Sequence, residues 1–273
     1  MCIRDRPFIT LLCKYSDIAE EPQSTDFVQR LFGDSYGGVN HYWKQASYGR
    51  ASLDGSQAAG WYTMAQPRHY YFITGEPDVG RIINDCTRAA NAEIDFSLFS
   101  GINIFTNGDW SGGSGGVGGN TFITLDGKSD FAYTVIGVNE WRNHGLVVHE
   151  LGHGFGLRHS NAYDEDDDPY DSPWSVMSSV NGFAVPHPEF GNLAKHFNAY
   201  EKESLGWLTR SEILELDLDT LSTGTSQRVR LTALGRPATA AGSYRSLKLF
   251  RESSGDDFFF TLEAREQLSL IHI

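Results

Sequence analysis

Residues 149–160 read HELGHGFGLRHS, which places three histidines and a glutamate within a dozen positions. On a helix, residues four apart share a face, so His149 and His153 project together and can bind one metal ion. Glu150 sits about 100° further round the helix, where its carboxylate reaches a water beside the metal without ligating it. His159 is too far along for the same face. Gly156 resolves this, because glycine tolerates positive φ and can end the helix and turn the chain back. The turn makes His159 a third ligand. Three protein nitrogens leave a fourth position for water, the pattern of catalytic rather than structural zinc. Zinc acidifies that water towards a pKa of about 7, and Glu150 is placed to take its proton. The bland alternative is a packed helix with chance histidines. A bare HExxH is open to it, but HExxHxxGxxH fixes five positions and rarely arises by accident.

The motif needs elements to hold it. Residues 140–155 have a helical pattern. Phe8–Lys14 (FITLLCK) reads as a buried strand and residues 102–106 as another strand, and 121–125 and 132–138 are strand-like. Residues 25–32, capped by Ser24 or Thr25, and Val39–Ala46 read as short helices, and helical spacing runs through 77–99. Alternation across 51–65 with Asp54-Gly55 at its turn predicts a hairpin. Residues 111–120, SGGSGGVGGN, predict a mobile surface loop, with a flap beside a cleft as the functional alternative. After Trp207 the texture changes. Residues 228–234, Ser246–Phe250 and 258–263 read as antiparallel strands of a separate region.

HExxHxxGxxH resembles the metzincin metalloproteases, in which three histidines bind zinc and the glutamate is the general base. The resemblance implies a methionine-containing turn beneath the metal, and Met177 in SVMS is the matching residue. Some metzincins carry a tyrosine two residues beyond that methionine; here Ser179 stands there, so no tyrosine ligand is expected from that position. HYWKQASYGRASLDG, GWYT, HFNAYEKESLGWL and FFFTLEARE are similar to segments of gametolysin-like and immune-inhibitor-A-like secreted peptidases. Immune-inhibitor types often have Asp as third ligand, so His159 favours the gametolysin-like pattern. The resemblance implies a secreted zinc endopeptidase acting on protein or peptide substrates, with a signal peptide and an inhibitory propeptide. By the same analogy an edge strand binds substrate in extended form, with residues 121–125 as the candidate.

The expected fold is α+β. A metzincin-type catalytic domain spans 6–208, divided into an upper part (6–156, twisted mixed sheet and zinc helix) and a lower part (157–208, with Met177). A truncated β-rich region follows at 209–267. Residues 1–5 (MCIRD) and 268–273 (LSLIHI) back-translate to reverse-complementary sequences resembling a transposase adaptor, so both are expected to be artefacts lying outside the fold. The true termini would then be missing.

A net charge of -13 argues against nucleic-acid binding, which needs a basic footprint. No apolar run approaches the roughly 20 residues that span a bilayer. Setting Cys2 aside with the adaptor, Cys13 and Cys86 either pair or stay as buried thiols. The acidic run Asp164–Asp168 with Asp171 reads first as a solvated loop, with a calcium site as the alternative. An EF-hand is excluded, because Pro169 stands where its glycine belongs and Ser175 where its last glutamate belongs. His144, His187 and His196 are read as surface or structural histidines and not as a fourth ligand, and Arg158 as a partner for the acidic loop. Two rivals to the peptidase are a binding or adhesion protein on a retired metzincin scaffold and a zinc hydrolase of a non-peptide amide. Retention of Glu150 argues against the first.

Overall fold

The apolar run Phe8–Lys14 forms strand β1, buried along nearly its whole length. Such strands belong in the middle of a parallel sheet, covered on both faces. A computed structural model, which describes residues 4–110, 115–160, 168–220, 224, 226–237, 240–251 and 259–266, shows this arrangement. The chain is α+β, and its main sheet has five strands. They are β1, β2 (Gln57–Thr63), β3 (Gly101–Thr106), β4 (Gly116–Leu125) and β5 (Lys128–Ile136). Their spatial order is β2-β1-β3-β5-β4. The first four are parallel, and β4 runs antiparallel to β5 at one edge.

Parallel neighbours need crossovers. Helices α1 (Thr25–Leu31) and α2 (Val39–Ala46) lie between β1 and β2, and α3 (Val79–Ala90) lies between β2 and β3. Ser24 caps α1 through its side chain, and Asp78 caps α3. Ile9, Leu11, Ile102, Ile104 and Val135 pack with Ile82, Ile83 and Ala90 of α3 in one core layer. In that layer Cys13 and Cys86 form a disulfide, with Cα atoms 5.9 Å apart. Helix α4 (His144–Gly154) packs on β4 and β5. The ring of Phe155, just past its end, meets Trp43 at 4.9 Å and Phe8 at 6.2 Å. The hairpin β6 (Val185–His187) and β7 (Gly191–Leu193) follows α4.

These elements form one compact unit, Met1–Lys44 with Gly49–Lys195; Gln45–Tyr48 and the chain from His196 onward form another. The division falls before residues 196–208, which the sequence reading placed at the end of the first domain. In the second unit, α5 (Ala199–Ser204) carries a reciprocal cap between Asn198 and Glu201. Strands β8 (Ile213–Asp217), β9 (Ser246–Phe250) and β10 (Phe259–Glu263) form a sheet. The buried Arg245 guanidinium bonds Glu212 at 2.8 Å and lies 3.9 Å from the Tyr48 ring centre.

Several expectations change. Residues 51–65 are not a hairpin: Asp54-Gly55 is a turn, but β2 pairs with β1, and Ala51–Ser52 pairs with Arg4–Asp5. The Ser52 hydroxyl also donates to Asp5 at 2.8 Å, so these two residues belong to the packed structure and do not lie outside it. Helix α3 ends at Ala90, and the chain passes through a turn into a 3-10 segment, Phe96–Leu98, capped by Asp95. Residues 116–120 are strand, not loop, because β5 offers them a complete ladder. Residues 228–234 contribute only an isolated bridge, Leu231 to Tyr244, while β8 is an additional strand, parallel to β9.

Candidate metal centre

Helix α4 is buried at every position except His153, as suits a helix covered on nearly every side. Asn143 opens it by accepting from the Leu146 N–H at 3.2 Å. Its end is a glycine-terminated turn. Gly156 adopts φ of 92°, its N–H bonds the His153 carbonyl, and the Leu157 N–H bonds that of Gly152. These two bonds are the pair expected when a left-handed residue closes a helix. The reversal brings His159 back over the helix end. Its Nε2 lies 3.2 Å from His153 Nε2, which is 3.1 Å from His149 Nε2. The ligating atoms of all three lie within 4.8 Å of one another.

The second nitrogens explain how the rings are held. His149 Nδ1 meets the Val176 carbonyl at 2.7 Å, and His153 Nδ1 meets that of Leu157 at 2.8 Å. A carbonyl accepts only, so Nδ1 carries the proton on each ring and Nε2 is left with its lone pair. Burial pushes the His149 imidazole down to about 4 and lowers His153 and His159 as well. Neutral imidazoles with converging lone pairs repel one another unless a cation lies between them. These residues could therefore hold a metal ion.

Glu150 is buried beside β4. Burial pushes its carboxyl up to about 8, while a bond from the Gly118 backbone N–H pulls it the other way. The strand comes this close because it lacks side chains here. A Cβ on Gly118 would fall 1.9 Å from the Glu150 carbonyl oxygen, and one on Gly116 would fall 3.1 Å from Glu150 Cγ. Gly116–Gly119, the three histidines and Glu150 line a cleft of about 440 Å³. This places the start of β4 at the site, whereas the sequence reading chose residues 121–125.

Met177 is fully buried. Its N–H bonds Ser175 Oγ at 2.9 Å, and its carbonyl accepts from the N–H of Ser160, next to His159. With Val176 anchoring His149, this turn braces the first and third histidines together. Of the acidic run, 164–167 lies outside the described residues, as does any calcium site or Arg158 partner built on it. His144 is buried and accepts from the Ala194 N–H at 3.1 Å; His187 stacks on Phe190 with ring centres 5.0 Å apart. His196 is half-buried, its imidazole lowered well below the usual range by desolvation.

No family model matches the chain. Dictomallein-1 from Dictyostelium discoideum is similar to it, at 31% identity over 103 residues. That stretch is 37% of this chain and only 15% of Dictomallein-1. The chain therefore spans well under two thirds of the length of this relative.

Sequence reading missed Tyr170. Its ring centre lies 5.1 Å from that of His159 and 6.3 Å from that of His149, and it lines the same cleft. Burial holds its phenol above the ordinary value, helped by the charges of Glu150 and Asp168. The available signal was a lone aromatic in DEDDDPYD between the third histidine and the methionine.

Proposed function

We propose that the chain is the catalytic part of a secreted, metzincin-type zinc endopeptidase. The observation that carries this reading is the convergence of three imidazoles beside a buried carboxyl at the edge of a sheet. Two zinc ligands at 2.0–2.1 Å in tetrahedral array would be about 3.3 Å apart, close to the spacings at His153. His149, His153 and His159 would hold the ion. When bound, zinc supplies an acidified water and polarises a carbonyl.

Glu150 does the proton work. A carboxylate beside the metal site can take a proton from water and return it to a leaving amine. β4 is an edge strand, so an extended peptide can add to it through main-chain hydrogen bonds. The buried Cys13–Cys86 bridge supports export, since such bonds persist in oxidising compartments.

The test pairs zinc content with turnover of casein or a peptide library. Wild type should hold about one zinc per chain and cut. Glu150→Gln should keep the zinc and the fold and lose about 10²–10⁴-fold in hydrolysis. His159→Ala should lose most of its zinc affinity. Wild type that binds zinc but cuts nothing, with any propeptide removed, would favour a retired binding scaffold. Equal turnover by Glu150→Gln would remove the role assigned to that residue.

A further inference from the structure

A metal ligand is held from behind as well as from in front. The other ring nitrogen of His149 rests on the Val176 carbonyl at 2.7 Å. A partner of this kind fixes which nitrogen carries the proton and where the ring points. Val176 itself belongs to no helix or strand, as none occurs between 168 and 184. Its carbonyl is therefore only as steady as the turns around it.

Contacts with α4 and with Lys195 steady those turns. On α4, Gly145 and His149 stand four residues apart and share a face of the helix. A Cβ on Gly145 would fall 2.7 Å from the Val180 carbonyl oxygen, so this face meets the chain at both Val176 and Val180. Lys195 lies just past β7. Its ammonium donates to the carbonyls of Ser179 and Gly182, the latter at 2.9 Å. The Gly182 N–H also bonds the Ser179 carbonyl, so the cation closes a turn onto itself. From Ser179 the bonds run back towards Val176. The Ser179 N–H bonds the Ser172 carbonyl, the Ser172 N–H bonds Ser178 Oγ, and the Ser178 N–H bonds the Ser175 carbonyl. Ser175 Oγ accepts from the Met177 N–H, which encloses Val176. Lys195 is not among the residues that line the cleft.

Resting on the three histidines as metal ligands in the peptidase reading, we propose that Lys195 is a positioning residue for the metal centre. By gathering the Ser179 and Gly182 carbonyls it fixes the Val176 carbonyl, and through that the tautomer and aim of His149. It touches neither the metal nor the substrate. A neutral side chain of similar length fills the same space and gathers nothing.

The experiment compares the full chain with Lys195→Met, which keeps the length and loses the ammonium, and with Lys195→Arg, which keeps a cationic donor. Zinc affinity is read by chelator competition, and the metal environment from the visible bands of the cobalt-loaded protein. The His149 tautomer is read from ring-nitrogen NMR shifts in the metal-free protein, and the fold from near-UV circular dichroism. Lys195→Met should keep the near-UV signal, bind zinc about 10-fold more weakly, shift the cobalt bands and show both tautomers of His149. That fall is the lower end of what losing a group behind a metal ligand costs. Lys195→Arg should restore most of each. Wild-type zinc affinity, wild-type cobalt bands and a single tautomer in Lys195→Met would overturn the assignment, while zinc binding by wild type kept the metal centre standing. Loss of the near-UV signal together with the zinc in Lys195→Met would overturn it in favour of a merely structural role. Wild type that binds no zinc would remove the metal centre itself, and the tautomer measurement would still decide whether Lys195 holds His149.

Discussion

At the scale of single residues, the histidines of α4 divide by what their second nitrogen does. His149 and His153 face carbonyls and keep Nε2 for the cleft, whereas His144 uses Nδ1 to accept from Ala194. Burial pushes His144 down to about 3, against an unfolded value near 6.5. Between those values the unfolded chain binds the extra proton. The stability it contributes is therefore complete above about pH 6.5 and is lost progressively as pH falls towards 3. His144→Gln keeps an acceptor for Ala194 and removes the titration. Urea midpoints of wild type should fall more than those of the variant between pH 7.5 and 5, and parallel curves would refute this origin. The histidine spacing was legible because a helix and one glycine turn are local geometry. Tyr170 was not, because its approach to His159 is set by the fold of the intervening chain, which no short-range pattern encodes.

At the scale of elements, the decisive contact is α4 against β4. Gly118→Ala would push a methyl into the Glu150 backbone, and the two elements would have to separate. The expected cost is about 1–3 kcal/mol, typical of overpacking, together with reduced hydrolysis. Gly80→Ala in α3 is the control. Its added methyl meets only the Asp78 side chain, at 3.5 Å, so it should be neutral or stabilising by up to about 1 kcal/mol. Denaturant midpoints at constant m-value decide between them, and equal midpoints would mean that α4 and β4 tolerate the methyl. This element also shows where local reading fails. A glycine run suggests a loop when only composition is weighed; β5 supplies the hydrogen bonds that make it a strand. The expected hairpin at 51–65 fails for the same reason, since β2 takes its ladder from β1, far earlier in the chain. Strands of uniform apolar character such as β1 were legible, because burial on both faces leaves a signature within the segment itself.

At the scale of the whole molecule, the coarse α+β class and the two compact units follow from where apolar runs and caps fall, but the unit boundary does not. The residues after Lys195 join the second unit through buried groups such as Ala199 and Leu208, and a change of texture after Trp207 points too late. The first unit is cross-linked. Cys13 and Cys86 close a loop with a sequence separation of 73, which restricts the unfolded chain by about 4 kcal/mol in the entropic account. Cys13→Ala with Cys86→Ala should lower stability by up to that amount, read from urea midpoints without reductant. If oxidised wild type and the double variant unfold together, the bridge contributes nothing.

The glycine run that admits α4 also leaves one bank of the cleft bare. Gly116, Gly118 and Gly119 present peptide groups and hydrogen atoms to whatever lies along them. A chain docked there would be read by its own main chain, with no regard to its sequence. Discrimination between one ligand and another would then fall to the few side chains that line the cleft, Val117, Leu157 and Tyr170 among them.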